Sequence, residues 1–253
     1  MKSREENLTD LKANAYENLW KLQRNPYPGR GIIMGLDESG KYLVQVYWIM
    51  GRSENSRNRI FVTEEKGIVK TEAADPAKVK DPSLIIYIAM AEEYPGRYAV
   101  SNGHQTKDAV RFESLDGLKN ISENAWRYEP DSPNFTPRIT AVFRPRFMGS
   151  QIAEISILKK SLFGSECIQN LYKIPITEPG FGYCIHTYNG DGDPLPSFSG
   201  DPYVLPLEGD IKDIAEKIWM NLDKENRVSL AVKFIDVRTP NSETYVINKY
   251  FTV

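Results

Sequence analysis

The chain has 253 residues, 41% of them hydrophobic, and a formal net charge of −2. That length suits one large domain or two small ones, and the charge supplies no basic field to collect nucleic acid. No run of 18 apolar residues is present, so no membrane-spanning helix is expected.

In chain order, Leu8, Leu11, Ala15, Leu19 and Leu22 recur at three- and four-residue steps and predict an amphipathic helix. Thr9 or Asp10 would cap its start, and Asn25-Pro26 would end it. Before it, Met1-Lys2-Ser3-Arg4-Glu5-Glu6 lacks the apolar core of a signal peptide, so the expected compartment is the cytoplasm. Tyr27-Pro28-Gly29-Arg30 then delivers the chain into a strand over residues 31–36, which turns at residues 37–40 into a strand over 42–50. Hairpins follow, pairing 59–63 with 68–72 and 84–91 with 98–101. A helix fits 106–115, and 122–127 is a marginal helix. Residues 138–144, 151–158, 168–174 and 182–188 read as strands, and 188–206 as a linker or an ordered functional loop. A helix over 210–222, with Asp210 as its cap, precedes a last hairpin over 228–237 and 244–251. Strands dominate and the order is not βαβα. The expected class is α+β with largely antiparallel sheets.

Five polar stretches stand out. In Arg52-Ser53-Glu54-Asn55-Ser56-Arg57-Asn58-Arg59, three guanidinium forks sit beside hydroxyls and amides after an apolar strand, chemistry suited to a phosphate or carboxylate. A polar hairpin loop is the alternative. Ser101-Asn102-Gly103-His104-Gln105-Thr106 joins a strand to a helix, and its amides suit a carboxamide or a purine-like edge. An N-capping turn would look the same. The stretch 128–139 carries Glu129, Asp131 and Arg138 between prolines at 130, 133 and 137, which fix the backbone around charged groups. There the competing reading is an ion-paired surface connection. On the strand after Gly180, Cys184, His186 and Tyr188 would share one face. His186 and His104 are the two histidines, and each also fits a buried, hydrogen-bonded structural role. Residues 194–202 form a stiff loop that could close over a ligand.

Phosphate-binding glycine loops, the nucleophile elbow and the zinc-protease motif are absent, as is metal spacing at Cys167 and Cys184. The arginines and amides suggest cofactor-free chemistry on an anionic, amide-bearing substrate, without a metal.

The motifs Pro28-Gly29-Arg30-Gly31, Gly51-Arg52-Ser53 with Ser56-Arg57-Asn58-Arg59, and Ser101-Asn102-Gly103 with Gln105-Thr106 resemble the archaeal-type IMP cyclohydrolase family. Thr136-Pro137-Arg138-Ile139 and Gly182 through Tyr188 with Asp191-Gly192 are similar as well. The resemblance runs from about residue 27 to 202 and is expected to continue to the C-terminus. It implies a four-layer αββα sandwich similar to N-terminal nucleophile hydrolases, in a single domain over 1–253 with 1–26 as a helical extension. The implied reaction closes the purine ring of the formylated aminoimidazole-carboxamide ribotide (FAICAR) to give inosine monophosphate (IMP) and water.

On this reading Arg52, Ser53, Arg57, Asn58 and Arg59 are candidates for the phosphate. Asn102, Gln105, Thr106 and His186 are candidates for the rest of the substrate. Glu129 is the candidate base, Tyr183 or Tyr188 the acid, and Arg30 or Arg138 the group that steadies developing charge. Glu129→Gln is expected to leave thermal stability nearly unchanged. The partner is a small-molecule purine nucleotide, with no nucleic acid and no membrane; the N-terminal helix is expected either to cover a sheet edge or to form a homo-oligomer contact. His104 stands where some relatives carry a more basic residue. The alternatives are a non-catalytic nucleotide-binding protein and an amide hydrolase of the same fold. Lys2 after Met1 argues against the second, because methionine removal exposes no Ser, Thr or Cys.

Overall fold

In the computed structural model the described residues are 3–79, 82, 85–93, 96–111, 118–121, 126–144, 151–239 and 241–251. They build two antiparallel sheets and a few helices. The first sheet contains β1 (Gly31–Leu36), β2 (Tyr42–Met50), β10 (Phe181–His186), β11 (Tyr203–Pro206), β12 (Arg227–Asp236) and β13 (Ser242–Asn248). Its spatial order is β11-β10-β1-β2-β12-β13. The second runs in chain order through β3 (Ile60–Thr63), β4 (Val69–Glu72), β5 (Ile88–Glu93), β6 (Arg97–Ser101), β7 (Arg138–Phe143), β8 (Gln151–Lys160) and β9 (Cys167–Ile176).

The two-residue period of the strands decides which side chains form which core. Ile32, Met34, Tyr47 and Ile49 point from the first sheet toward Tyr98, Val100, Ile139 and Ile155 of the second, and together they make the core between the sheets. The alternate residues Ile33, Val46, Trp48 and Val232 face outward and are covered by helices α1 (Arg4–Arg24) and α4 (Ile211–Met220) through Leu19, Leu22, Ile214 and Ile218. Helix α3 (Thr106–Arg111) covers the outer face of the second sheet, packing Ala109 and Val110 on Ala99 and Val142. β2 is therefore buried on both faces, which is why it reads as a continuous apolar run.

At the joined side of the sandwich, Asn248 of β13 accepts from the Phe61 backbone N–H at 2.8 Å and donates to its carbonyl at 3.0 Å. One amide side chain thus continues the ladder from the edge of the first sheet to β3 of the second.

Several boundaries differ from the sequence expectation. α1 starts at Arg4, not near Leu8, because Ser3 and Glu6 form a reciprocal capping box with contacts of 3.2 and 2.7 Å. Leu8 is exposed and outside the buried stripe. The expected 84–91 strand is β5 at Ile88–Glu93, with Ile85 in a turn and Leu84 outside the described residues. The helix expected to reach 115 is described only to Arg111, and 122–125 lie outside the described residues. The strand expected to reach Tyr188 ends at His186, and the last strand ends at Asn248. Within 188–206 the structure places β11, whose four residues pair with β10. The polar stretch after β2 holds a four-residue helix, α2 (Glu54–Arg57), with Ser53 as its cap. No described helix is long and apolar enough to cross a membrane. Cys167 and Cys184 are free thiols.

Candidate active site

Antiparallel connections bring the start of β1, the end of β2, the end of β6, the segment before β7 and the end of β10 to one end of the sandwich. A cavity of about 310 Å³ opens there, with walls that include Arg30, Arg59, Glu129 and Tyr188.

Arg30 sits just before β1. Its backbone N–H donates to Thr187 Oγ1 at 3.1 Å, and its carbonyl accepts from Thr187 N–H at 2.9 Å. Two residues ahead of Ile32, its side chain shares that residue's inward face. There Arg30 Nη2 lies 3.2 Å from Glu129 Oε2, with both side chains buried. Glu129 is fixed by its own N–H, which donates to Thr136 O at 2.8 Å. Its other oxygen accepts from Asn102 Nδ2 at 3.4 Å and lies 3.9 Å from Arg138 Nη1. Burial raises the Glu129 carboxyl above its ordinary range, against the pull of Arg30 and Arg138.

Beside this pair, Arg59 is buried and donates through Nε to Ser56 O at 2.8 Å and through Nη2 to Met50 O at 3.3 Å. Burial, and then the charge of Arg30, work against the charge of Arg59. Three buried polar atoms on cavity-lining residues make no hydrogen bond among the described residues: Arg30 Nε, Arg59 Nη1 and Asn55 Oδ1. Buried polar atoms are nearly always paired; the oxygens of a bound anion would satisfy the two spare donors, and an N–H or hydroxyl of the same ligand the spare acceptor.

Tyr188 reaches the cavity because the chain bends at Thr187. Its ring stacks on Tyr27 with centroids 5.9 Å apart, and its hydroxyl bonds to Thr136 Oγ1. Burial pushes that hydroxyl up to about 12, against the opposing charge of Arg30, so it remains a neutral donor. Arg52 lines the rim, tied to Asp191 and, at 3.0 Å, to the Gly192 carbonyl. Ser53 also lines the rim, but its hydroxyl is engaged with Ser56.

Other sequence candidates lie elsewhere. Arg57 turns away from the cavity, donating to Gly51 O at 2.9 Å and Asn226 Oδ1 at 3.2 Å. Asn58 exchanges hydrogen bonds of 2.8 and 2.7 Å with the backbone of Asp75, locking α2 to the segment after β4. Asn102 bonds Pro137 O at 2.9 Å and Ile139 N at 2.8 Å, and Gln105 bridges Asn102 to Arg138 at 3.3 and 3.1 Å. These amides brace the Glu129 segment: the Asn102 amide is fully engaged, and the buried Gln105 side chain is held between Asn102 and Arg138. Thr106 bonds Ser101 and the Gly103 carbonyl. Arg138 lies against the Trp126 ring at 5.2 Å, behind Glu129. Tyr183 pairs with Met34, three residues along β10 from His186, and packs against the core. His186 faces the outer side of the sheet, edge-on to Phe198 at 4.5 Å. Tyr188 lies beyond the end of the strand, and its ring packs in the same outer cluster as Cys184.

Asn55 and Thr136, which also line the cavity, lie inside the polar stretches 52–59 and 128–139 and were not among the expected site residues. Nor were Tyr47 and Tyr87, whose hydroxyls lie 2.7 Å apart between the sheets near Arg30. Buried tyrosines in a strand, as Tyr47 is, or just ahead of one, as Tyr87 is, carry no signal that separates them from core. No group of three or more His, Cys, Asp or Glu among the described residues is placed to hold a metal ion.

Comparison with protein families matches residues 27–239 to the family described as IMP cyclohydrolase-like protein. The chain belongs to this family. The matched residues contain every cavity wall named above, and α1 precedes them. No curated protein and no solved structure matches the chain.

Proposed function

We propose that the chain is an IMP cyclohydrolase, closing FAICAR to IMP and water at the cavity between Arg30, Arg59 and Glu129. The observation that carries this reading is the buried Glu129 carboxyl, held between Arg30 and Arg138 in a cavity whose neighbouring guanidinium groups keep unpaired donors.

Ring closure requires the carboxamide nitrogen to attack the formyl carbon. The formyl oxygen leaves as water, taking one proton from the carboxamide nitrogen and one from the formamido nitrogen. The carboxamide is a weak nucleophile, so holding it against the formyl group supplies much of the rate. Glu129, with its affinity for a proton raised by burial, accepts the nitrogen proton and returns it to the departing hydroxyl. Arg30 meets the negative charge that develops on the formyl oxygen. Tyr188 stays protonated and donates within the same wall. Arg59, whose charge is disfavoured by its surroundings, gains most from the substrate's phosphate. Each step uses side chains already on the cavity wall.

Helices outside both sheets agree with the four-layer sandwich implied by the likeness to N-terminal nucleophile hydrolases. One core shared by the two sheets supports a single domain, with α1 as an extension. The test is a spectroscopic assay of ring closure with FAICAR, run beside a binding titration with IMP. Turnover with wild type and its loss in Glu129→Gln support the reading. Binding of IMP without turnover would make the chain a nucleotide-binding protein that does not close the ring.

A further inference from the structure

Helix α1 lies outside the family match and builds a second concavity. A crevice of about 630 Å³ opens between its last turns and the segment after β10, within the range of small-molecule sites.

At its wall sits His186, 6% exposed, with Nδ1 2.8 Å from the Tyr188 carbonyl oxygen. A carbonyl only accepts, so Nδ1 carries the hydrogen. Burial lowers the imidazole to about 4, leaving the ring neutral and Nε2 an unprotonated acceptor. Nε2 makes no hydrogen bond among the described residues. The rings of Phe198 and Tyr203 stand edge-on to the imidazole at 4.5 and 5.6 Å. At the mouth, the Arg24 guanidinium lies over the half-exposed Trp20 ring at 4.4 Å and has no carboxylate partner among the described residues. Lys21 is beside it.

An unpaired acceptor set among aromatic rings calls for a flat ligand with an N–H or amino donor. A free guanidinium stacked on an indole at the mouth calls for an anion. We infer that this crevice is a second ligand site, for a nucleoside monophosphate whose base hydrogen-bonds His186 and whose phosphate meets Arg24. The site is independent of the reaction assigned to the central cavity. The two are separated by the segment 187–202, which Asn25 Nδ2 holds from the crevice side through the Asn189 carbonyl at 3.0 Å.

Adenosine monophosphate is the probe, because its amino group supplies the donor and its phosphate the anion. It is titrated into the full chain, following heat and tryptophan fluorescence. Saturable binding is expected that Arg24→Glu weakens at least tenfold and Trp20→Ala weakens as well, while Glu129→Gln leaves it unchanged. Adenosine, without the phosphate, should bind more weakly to wild type and equally to wild type and Arg24→Glu. Arg24 and Trp20 both reach solvent, so circular dichroism should match wild type in both variants. The proposal is overturned if millimolar adenosine monophosphate shows no saturable binding. It is equally overturned if binding is untouched by Arg24→Glu and lost on saturation with IMP in the central cavity. Ring-closure turnover plays no part in this readout, so the two assignments fail separately.

Discussion

Glu129 Oε2 and Arg30 Nη2 lie 3.2 Å apart across the gap between the two sheets, Arg30 at the start of β1 and Glu129 in the segment before β7. The contact joins the sheets at the end where the cavity opens, and it places a carboxylate and a guanidinium where neither is freely hydrated.

Glu129→Gln should lower turnover by about 100-fold or more while IMP still binds. Because burial raises the carboxyl, wild-type turnover should fall as acid protonates it, with the acid limb above the ordinary carboxylate range. A pH–rate profile checks this, and a limb at or below that range would remove Glu129 as the base. The expectation that stability would hardly change needs revision. Glu129 balances Arg30 and Arg138, and removing one member of a buried pair costs about 3–5 kcal/mol, less where the amide oxygen still accepts. Thermal unfolding should therefore shift downward.

Arg59→Ala should weaken IMP binding by about 1.5–3 kcal/mol, the worth of a charged hydrogen bond, and should weaken inosine far less. Arg52→Ala should behave differently. Its fork is occupied by Asp191 and the Gly192 carbonyl, so losing it frees the rim segment and should reduce binding of nucleotide and nucleoside alike. Paired titrations with IMP and inosine separate the two roles.

Gly51→Ala should destabilise the fold by about 1–3 kcal/mol and weaken IMP binding. A Cβ at Gly51 would lie 2.6 Å from the Ser56 backbone, so α2, which carries Asn55 and Ser56 to the cavity, would have to move. Chemical denaturation and an IMP titration on the same variant test both halves.

Lys233 offers a prediction on stability against pH. It is fully buried between the sheets, bonded to the Gly67 carbonyl, with Glu92 Oε2 at 3.7 Å. Burial lowers its ammonium to about 8, although Glu92 opposes the shift. An unfolded lysine titrates near 10.4, so between these values the unfolded chain binds more protons and stability rises with pH. Comparing urea unfolding at pH 7 and 9.5, wild type should gain up to about 2 kcal/mol relative to Lys233→Met. An identical pH response in the two proteins would show that the ammonium does not titrate there.

Strands at Gly31–Leu36 and Tyr42–Met50 were legible because apolar runs ended at strong turn signals. β11 was not, since four residues between Pro- and Gly-rich segments carry too little periodicity. In the candidate site the stretches were legible and the directions of the side chains were not. Arg57 and Arg59 are two residues apart, yet the turn of α2 sends one to Asn226 and the other into the cavity wall. Asn102 and Gln105 have the right groups to read a carboxamide, but bonds to the Pro137 and Ile139 backbone engage Asn102, and Gln105 is buried and tied to Arg138. The strand expected to carry both His186 and Tyr188 ends two residues early, at His186, where the chain bends at Thr187.

The Asn248 amide bears on how the chain behaves in a crowded solution. Unpaired strand edges recruit other chains, and a side chain that mimics a peptide group denies β3 and β13 to such recruits at no cost in length. β9, at the far side, has no further strand beside it in the sheet among the described residues. It carries Lys173 and Pro175, a charge and a missing N–H, two devices that blunt an edge. The protein thus guards one flank by internal mimicry and the other by repulsion. Removing Asn248 would expose an edge that lacks the second kind of defence along Ile60-Phe61-Val62, and would turn a local packing change into a tendency to self-associate.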